Sequence, residues 1–263
     1  MPIVCLFHPT TKPIMDTTPD TSLLENFFSL HAPDLRKKVR IVTPAILGQE
    51  HLLHISKDAN IKVFTPNVTR RAAHKEDRSV ARVCVAPSLV ACMYGYSSIL
   101  WEYGNDLNQS YYSGDKTVKW NGGWTIYGIP YKVALFPSEQ LVPRGPDSDE
   151  HWLVTTDKDT SHFKPVVFGE FYLESSVQVH VRGKKQTTVE IWVKVTHPDG
   201  LFLDKQHHIA PGCWVARVRD FDTANGVAGR NTLDLTQISE KEYTTRRQLS
   251  LSAESRRPIS ATW

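Results

Sequence analysis

Valines alternate with polar residues over 177–181, and valines and an isoleucine do the same over 189–195. Every second side chain of a β-strand lies on the same face, so each run predicts a strand with one buried face. The polar run RGKK at 182–185 separates the two runs and contains a glycine suited to a turn. The pattern therefore predicts a β-hairpin.

Shorter apolar runs predict further strands along the rest of the chain. The dipeptide Asn121-Gly122 is typical of tight turns, so it predicts a turn before the third of these strands. The predicted strands cover 51–55, 83–86, 125–129, 131–136, 151–155, 166–173 and 213–218.

Three segments predict helices. Apolar residues recur at i, i+3, i+4 and i+7 from Leu89 to Tyr96, the spacing of an amphipathic helix that packs on a sheet. Pro87 suits the first turn of that helix. A capping-box pattern predicts a short helix over 22–30, and a polar helix is expected over 235–249. Strands mixed with a few helices predict an α+β protein.

Composition and charge narrow the class of protein. The 263 residues carry a formal net charge of +3, a balance that does not favour nucleic acid as a partner. No apolar run reaches about 18 residues, so we expect neither a membrane-spanning helix nor a membrane partner. The four cysteines lack zinc-site spacing, which predicts free thiols, no bound metal and a reducing compartment. We therefore expect a soluble, cytoplasmic protein.

Common catalytic motifs are missing from the sequence. It contains no GxxxxGK[ST], no GxGxxG after a strand, no HExxH and no GxSxG. The absence of these motifs excludes the commonest nucleotide-loop, zinc-protease and serine-hydrolase classes.

Three segments carry the remaining candidate chemistry. The first is LHIS at 53–56, the second is the strand and helix over 83–96, and the third is EHWLV at 150–154. In this order they resemble the three signature blocks of ADP-ribosyltransferases, in particular the diphtheria-toxin-like and poly(ADP-ribose) polymerase branch. The resemblance covers roughly residues 50–175.

The resemblance implies a fold and a division of the chain. The fold would be a pair of packed antiparallel sheets with a few helices and a C-terminal β-hairpin extension. The chain would divide into an N-terminal arm with a short helix (1–48), an ADP-ribosyltransferase-like core (49–175), the hairpin extension (176–225), and a polar helix and tail (226–263).

The resemblance also implies roles for individual residues. Glu150 would be catalytic, because a fixed carboxylate beside the nicotinamide ribose stabilises the oxocarbenium-like charge that forms when the glycosidic bond breaks. His54 Nε2 would donate to an adenosine-ribose hydroxyl. The backbone of Ile55 would bind the nicotinamide carboxamide, and Ser56 would support it.

The second block departs from the family pattern, since Cys84 stands where many members have a tyrosine that stacks on nicotinamide. Tyr94 or Tyr96 would then supply an aromatic face, as would Trp120 or Trp124. Ser88 either contacts the cofactor or caps the following helix, and capping is slightly favoured. The arginines over 70–82 either lie on a solvated surface or, in the less favoured alternative, bind the pyrophosphate of NAD.

The resemblance implies a mono-ADP-ribosyltransferase of the toxin or effector type, with NAD as co-substrate. The enzyme would cleave the nicotinamide glycosidic bond and transfer ADP-ribose to an unknown macromolecular acceptor. The alternative is a catalytically inactive relative of that fold that serves as a structural or protein-interaction module, which Cys84 in place of tyrosine favours. A nucleic-acid binder ranks last.

Overall fold

The computed structural model describes residues 22–31, 34–68, 76–95, 117–143, 149–154, 163–181, 184–218 and 233–254. Residues 1–21 of the predicted N-terminal arm and the candidate site residue Tyr96 lie outside these residues. Helices occupy Ser22–His31 (α1), Pro44–Leu47 (α2), Leu89–Gly95 (α3) and Glu240–Glu254 (α4), with a 3-10 helix at Leu35–Lys38. Strands occupy Val39–Val42 (β1), His51–Ser56 (β2), Val83–Val85 (β3), Thr117–Pro130 (β4), Ala134–Pro137 (β5), His151–Leu153 (β6), Val166–Val181 (β7), Lys184–Val195 (β8), Leu201–Phe202 (β9), His208–Ile209 (β10), Gly212–Val218 (β11) and Leu233–Ile238 (β12).

The protein is α+β, and its described strands pair antiparallel. They form a six-stranded sheet in the order β12-β11-β8-β7-β4-β2, a four-stranded sheet in the order β1-β5-β6-β3, and the small pair β10-β9. No helix in the described part of the chain is long and apolar enough to cross a membrane.

The hairpin β7–β8 is confirmed, but it is not an extension. It lies in the middle of the six-stranded sheet, between β4 and β11. The expected boundary at residue 175 falls inside the continuous strand β7. Ile191, Val193 and Val195 of β8 are buried in the same core as Ile55 of β2. The hairpin therefore holds the sheet together rather than projecting from it.

Alternation along the strands gives the six-stranded sheet two apolar faces. One face packs against α3 through residues such as Phe171, Leu173 and Ile191. The intervening residues Tyr172 and Trp192 lie on the other face, where Tyr243 of α4 covers them. Because neighbouring residues of a strand point to opposite sides, both faces are buried by one alternating sequence.

The four-stranded sheet has its own core. Its outer face packs against α1, with Leu24, Phe27 and Phe28 lying against Trp152 and Leu135. Its inner cluster joins it to the larger sheet through residues of β2, β3, β4 and β6, namely Leu52, Val83, Ile129 and Leu153. The helix predicted over 22–30 is thus confirmed and covers the smaller sheet.

Two local predictions are wrong. Asn121-Gly122 lies inside β4, where the pairing with β7 shifts register between Trp120 and Trp124, so strand pairing overrides the turn preference. The segment expected as a helix over 235–249 begins instead as strand β12, which pairs with β11, and the helix α4 starts only at Glu240.

Candidate active site

The edges of the two main sheets meet at one short bridge. The amide of Leu53 in β2 donates to the carbonyl of Ala86, 2.7 Å away, and the amide of Ala86 donates back over 2.9 Å. Away from this bridge, β2 pairs with β4 and β3 pairs with β6. The first two sequence blocks are therefore adjacent because two sheet edges share a single pair of residues.

A cavity of about 80 Å³ lies beside this bridge. It is mostly apolar, and its polar groups are one imidazole, one carboxylate and two thiols. The lining residues come from β2, β3, α3 and the residue before β6: His54, Ile55, Cys84, Val85, Ala86, Ala91, Cys92, Gly95 and Glu150. The structure thus brings residues of all three sequence blocks to one place.

His54 is fixed by a hydrogen bond to the neighbouring strand. Its Nδ1 lies 2.9 Å from the carbonyl oxygen of Cys84, so Nδ1 carries a proton and donates. Burial lowers the pKa of His54, and this carbonyl opposes the shift only in part. In the neutral ring, Nε2 is then an acceptor. The resemblance implied that Nε2 donates, whereas this tautomer leaves Nε2 only as an acceptor.

Glu150 sits at the start of β6, directly after a residue with unusual backbone geometry. Asp149 has φ of 47°, in the left-handed region that few non-glycine residues adopt. Its carboxylate pairs with Lys205 at 3.1 Å. Strained backbone is common at functional sites, where the surrounding structure holds it in place. Here it turns the chain into β6 immediately at the candidate catalytic residue.

Burial raises the pKa of Glu150 above its usual range. Hydrogen bonds from the indole of Trp152 and the thiol of Cys84 oppose that shift, because both stabilise the ionised carboxylate. The Trp152 Nε1–Oε1 distance is 2.7 Å. The carboxylate is therefore held in one orientation but resists ionisation more than an exposed glutamate does.

Arg82 completes a buried cluster behind the cavity, a feature that sequence analysis missed. Its guanidinium lies 2.5 Å from the carboxylate of Glu76 and 4.1 Å from the ring centroid of Trp152. The side chain of Arg82 is fully buried. Arg82 therefore neither belongs to a solvated surface nor faces solvent, where it could bind a phosphate. The signal is spacing: Arg82 and Cys84 share one face of their strand, and Glu150 and Trp152 share one face of theirs.

The two cavity thiols are poor nucleophiles. Burial raises the pKa of Cys92 to about 12, and burial together with the nearby Glu150 carboxylate raises the pKa of Cys84. The Cys92 thiol donates to the carbonyl of Leu53. Cys84, Cys92 and Cys213 are all free, as expected from their spacing. Nucleophilic catalysis needs a thiolate, so Cys84 and Cys92 line the site without acting as nucleophiles.

Other predicted site residues lie outside the cavity lining. Ser56 accepts the amide of Asp58 at the end of β2, and Ser88 accepts the amide of Ala91 and so caps α3. Tyr94 lies on α3 but does not line the cavity. Trp124 is buried in the core, stacked on Phe171, and therefore cannot offer a face to a ligand.

The cavity is small for a dinucleotide. Ligand pockets commonly measure about 300–1,000 Å³, and a protein cavity of about 150 Å³ accepts a single benzene ring. At about 80 Å³ the cavity holds little more than a few water molecules in the conformation described.

Comparison with protein-family models, with curated proteins and with solved structures returns no match to this chain.

Proposed function

We propose that this protein is an NAD-consuming ADP-ribosyltransferase with Glu150 as its catalytic carboxylate. One observation carries the proposal: His54 and Glu150, 96 positions apart in the sequence, line the same cavity where β2 and β3 meet. Had the two side chains lain on opposite sides of a sheet, the proposal would have failed. Ile55 and Cys84, from the same two blocks, line that cavity as well.

Each residue has a task in this chemistry. The bond between nicotinamide and C1′ of its ribose breaks, nicotinamide leaves with the bonding electrons, and the acceptor nucleophile attacks C1′. The ionised carboxylate of Glu150 accepts from the ribose 2′-hydroxyl and stabilises the positive charge at C1′. His54 Nε2 accepts from a ribose hydroxyl, since its Nδ1 is committed to Cys84. The apolar lining excludes water from the reacting centre.

An inactive relative that serves as a binding module is the second candidate, and the cavity volume favours it. With about 80 Å³ between β2, β3 and α3, binding of a nicotinamide ring requires these elements to separate. Cys84 removes the aromatic face that would stack on that ring. In this alternative the chain keeps the architecture and contributes a surface, without turnover.

Nicotinamide release distinguishes the two candidates. We expect the native protein to release nicotinamide from NAD, with cell extract supplying acceptors. Glu150→Gln keeps an oxygen for the Trp152 indole but cannot carry negative charge, so release should fall by about 10²–10³. Glu139→Gln, at an exposed glutamate of the loop after β5, is the matched control and should leave release unchanged.

The pH profile adds an independent readout. The pKa of Glu150 is raised from 4.5, so release should fall on acidification through a value above 4.5, as the carboxylate takes up its proton. No release from folded native protein, or equal release from Glu150→Gln, contradicts the enzyme. Binding of NAD without release, followed by ligand-observed NMR, would then support the inactive relative.

A further inference from the structure

A second, larger cavity lies on the other side of the β2–β3 bridge. Its volume is about 290 Å³, close to the lower end of the range for small-ligand pockets. Leu53 and Pro87 form its floor beside the bridge. The candidate active site does not use this cavity, because its functional side chains, His54 and Glu150, are not among the residues that line it.

One wall of the cavity is a fixed stack of rings. Phe168 sits over Gly128, where any Cβ would lie about 2.0 Å from the phenyl ring, so only glycine leaves room for it. His197 stacks on Phe168 with centroids 3.9 Å apart and planes inclined by 6°. His51 packs at an angle against both rings, with centroid distances of 5.1 and 5.6 Å.

The opposite wall is also aromatic. Phe202 of β9 and His208 of β10 meet edge to face, with centroids 4.8 Å apart. The imidazole of His208 lies so close to Gly200 that a Cβ there would approach its Cε1 to 2.8 Å. Gly200 also has φ of 72°, which suits glycine alone at this turn. The ring is therefore held against the backbone at the cavity mouth.

Two solvent-exposed carboxylates, Glu50 and Asp199, line the cavity. Neither has a lysine or arginine partner among the residues that the structure describes. The Nδ1 of His197 accepts the amide of Asp199 and lies 3.8 Å from the Asp199 carboxylate. Burial and the neighbouring His197 lower the pKa of His51, which keeps that ring neutral near pH 7 against the field of both carboxylates. The cavity is thus negative. It therefore offers carboxylates to a cation and rings to a flat group.

We propose that this cavity binds an arginine residue presented by a polypeptide. The guanidinium is planar and cationic, so it pairs with Glu50 and Asp199 while one of its faces lies against the ring of Phe202. A lysine ammonium satisfies the charge but not the stacking.

A matched pair of probes tests this assignment. N-acetylarginine amide carries the guanidinium, while N-acetylcitrulline amide has nearly the same shape without the charge. We expect the arginine probe to shift the NMR signals of His51 and His208 in a saturable manner. The citrulline probe should bind at least tenfold more weakly, and N-acetyllysine amide and methylguanidinium should each bind several-fold more weakly.

Variants locate the binding. Glu50→Gln combined with Asp199→Asn should weaken the arginine probe at least tenfold, whereas Glu139→Gln should leave its affinity unchanged. Equal binding of the arginine and citrulline probes, full affinity in the double variant, or no saturable shift at 20 mM probe, on the order of the weakest binding that such titrations resolve, would overturn the proposal. None of these readouts depends on nicotinamide release, so this site and the proposed enzyme fail or succeed separately.

Discussion

The indole nitrogen of Trp152 donates a 2.7 Å hydrogen bond to Oε1 of Glu150, two residues earlier in the chain. The two side chains share a face because they are separated by one residue of an extended segment. Trp152 also stands opposite Cys84 in the β3–β6 pairing. The candidate catalytic carboxylate is therefore oriented by a buried ring whose position the strand register determines.

Removing this donor should make Glu150 harder to ionise. Trp152→Phe keeps a ring for Arg82 but loses the indole N–H, which stabilises the ionised carboxylate. We expect the pKa of Glu150 to rise above its already raised native value. The carbon-13 shift of its side-chain carboxyl, followed against pH and assigned by its loss in Glu150→Gln, measures this change.

The chain contains a matched control for that substitution. Trp192 donates to Glu190 over 3.2 Å, again two residues apart, but it lies on the face of the larger sheet that α4 covers. Trp192→Phe should leave the pKa of Glu150 unchanged. If both variants moved the Glu150 titration equally, a general loosening of the protein would explain the shift better than the Trp152 bond.

The partly buried His54 should make stability depend on pH. Its pKa in the folded protein is lowered from 6.5, so the folded state binds a proton less readily than the unfolded state. The neutral ring therefore contributes stability that is present above pH 6.5 and lost as the pH falls toward the folded pKa. The slope for one proton is at most about 1.4 kcal/mol per pH unit.

His54→Asn tests this contribution while keeping a donor for the Cys84 carbonyl. The difference in unfolding free energy between native protein and variant, from urea titrations, should shrink as the pH falls below 6.5. His208→Asn, at an exposed histidine, should show no comparable trend. A constant difference between native protein and His54→Asn across this range would mean that His54 takes up its proton equally well when folded.

Sequence periodicity predicted most elements because burial on one face leaves a visible pattern. The hairpin follows from a period of 2 and α3 from a period of 3.6, while β2 and β3 follow from short apolar runs. The strand β12 was mistaken for helix, although partly buried and exposed residues alternate from Leu233 to Thr236. Its polar composition concealed a strand at the edge of the sheet, where only one neighbour, β11, supports it.

The candidate site was predictable where its residues lie in the three short segments that resemble a known family. The three segments contain the predicted site residues His54, Ile55, Cys84 and Glu150, and these four residues line one cavity. Arg82 behind Trp152 depends on the register between two strands about 70 residues apart, which no local pattern encodes. The second cavity is less predictable still, because its walls come from four separate strands.

Arg82 should be a major source of stability for the smaller sheet. Arg82→Met removes a buried guanidinium that pairs with the nearly buried Glu76 and donates to the backbone carbonyls of Asp77 and Val80. Breaking a buried pair in this way costs about 3–5 kcal/mol. Arg36→Met is the matched control, because its ion pair with Glu25 is about half-exposed and should contribute at most about 1 kcal/mol. Equal losses in urea unfolding would mean that the Arg82 pair is solvated.

Gly128 should be irreplaceable for steric reasons, even though its φ is not in the left-handed region. A Cβ there would lie about 2.0 Å from the Phe168 ring, and His197, stacked on the far face of that ring, prevents it from moving away. We expect Gly128→Ala to cost about 1–3 kcal/mol of unfolding free energy and to shift the His197 ring signals.

Gly123→Ala, in the same strand, separates this clash from a general intolerance of β4. Its Cβ would approach only the flexible end of Arg247, at 3.6 Å, so stability should change by less than about 1 kcal/mol. If Gly128→Ala were as stable as Gly123→Ala and left the His197 signals in place, Phe168 must be free to swing. The ring wall of the second cavity would then be adaptable rather than fixed, and arginine binding there would require ordering of Phe168 and His197.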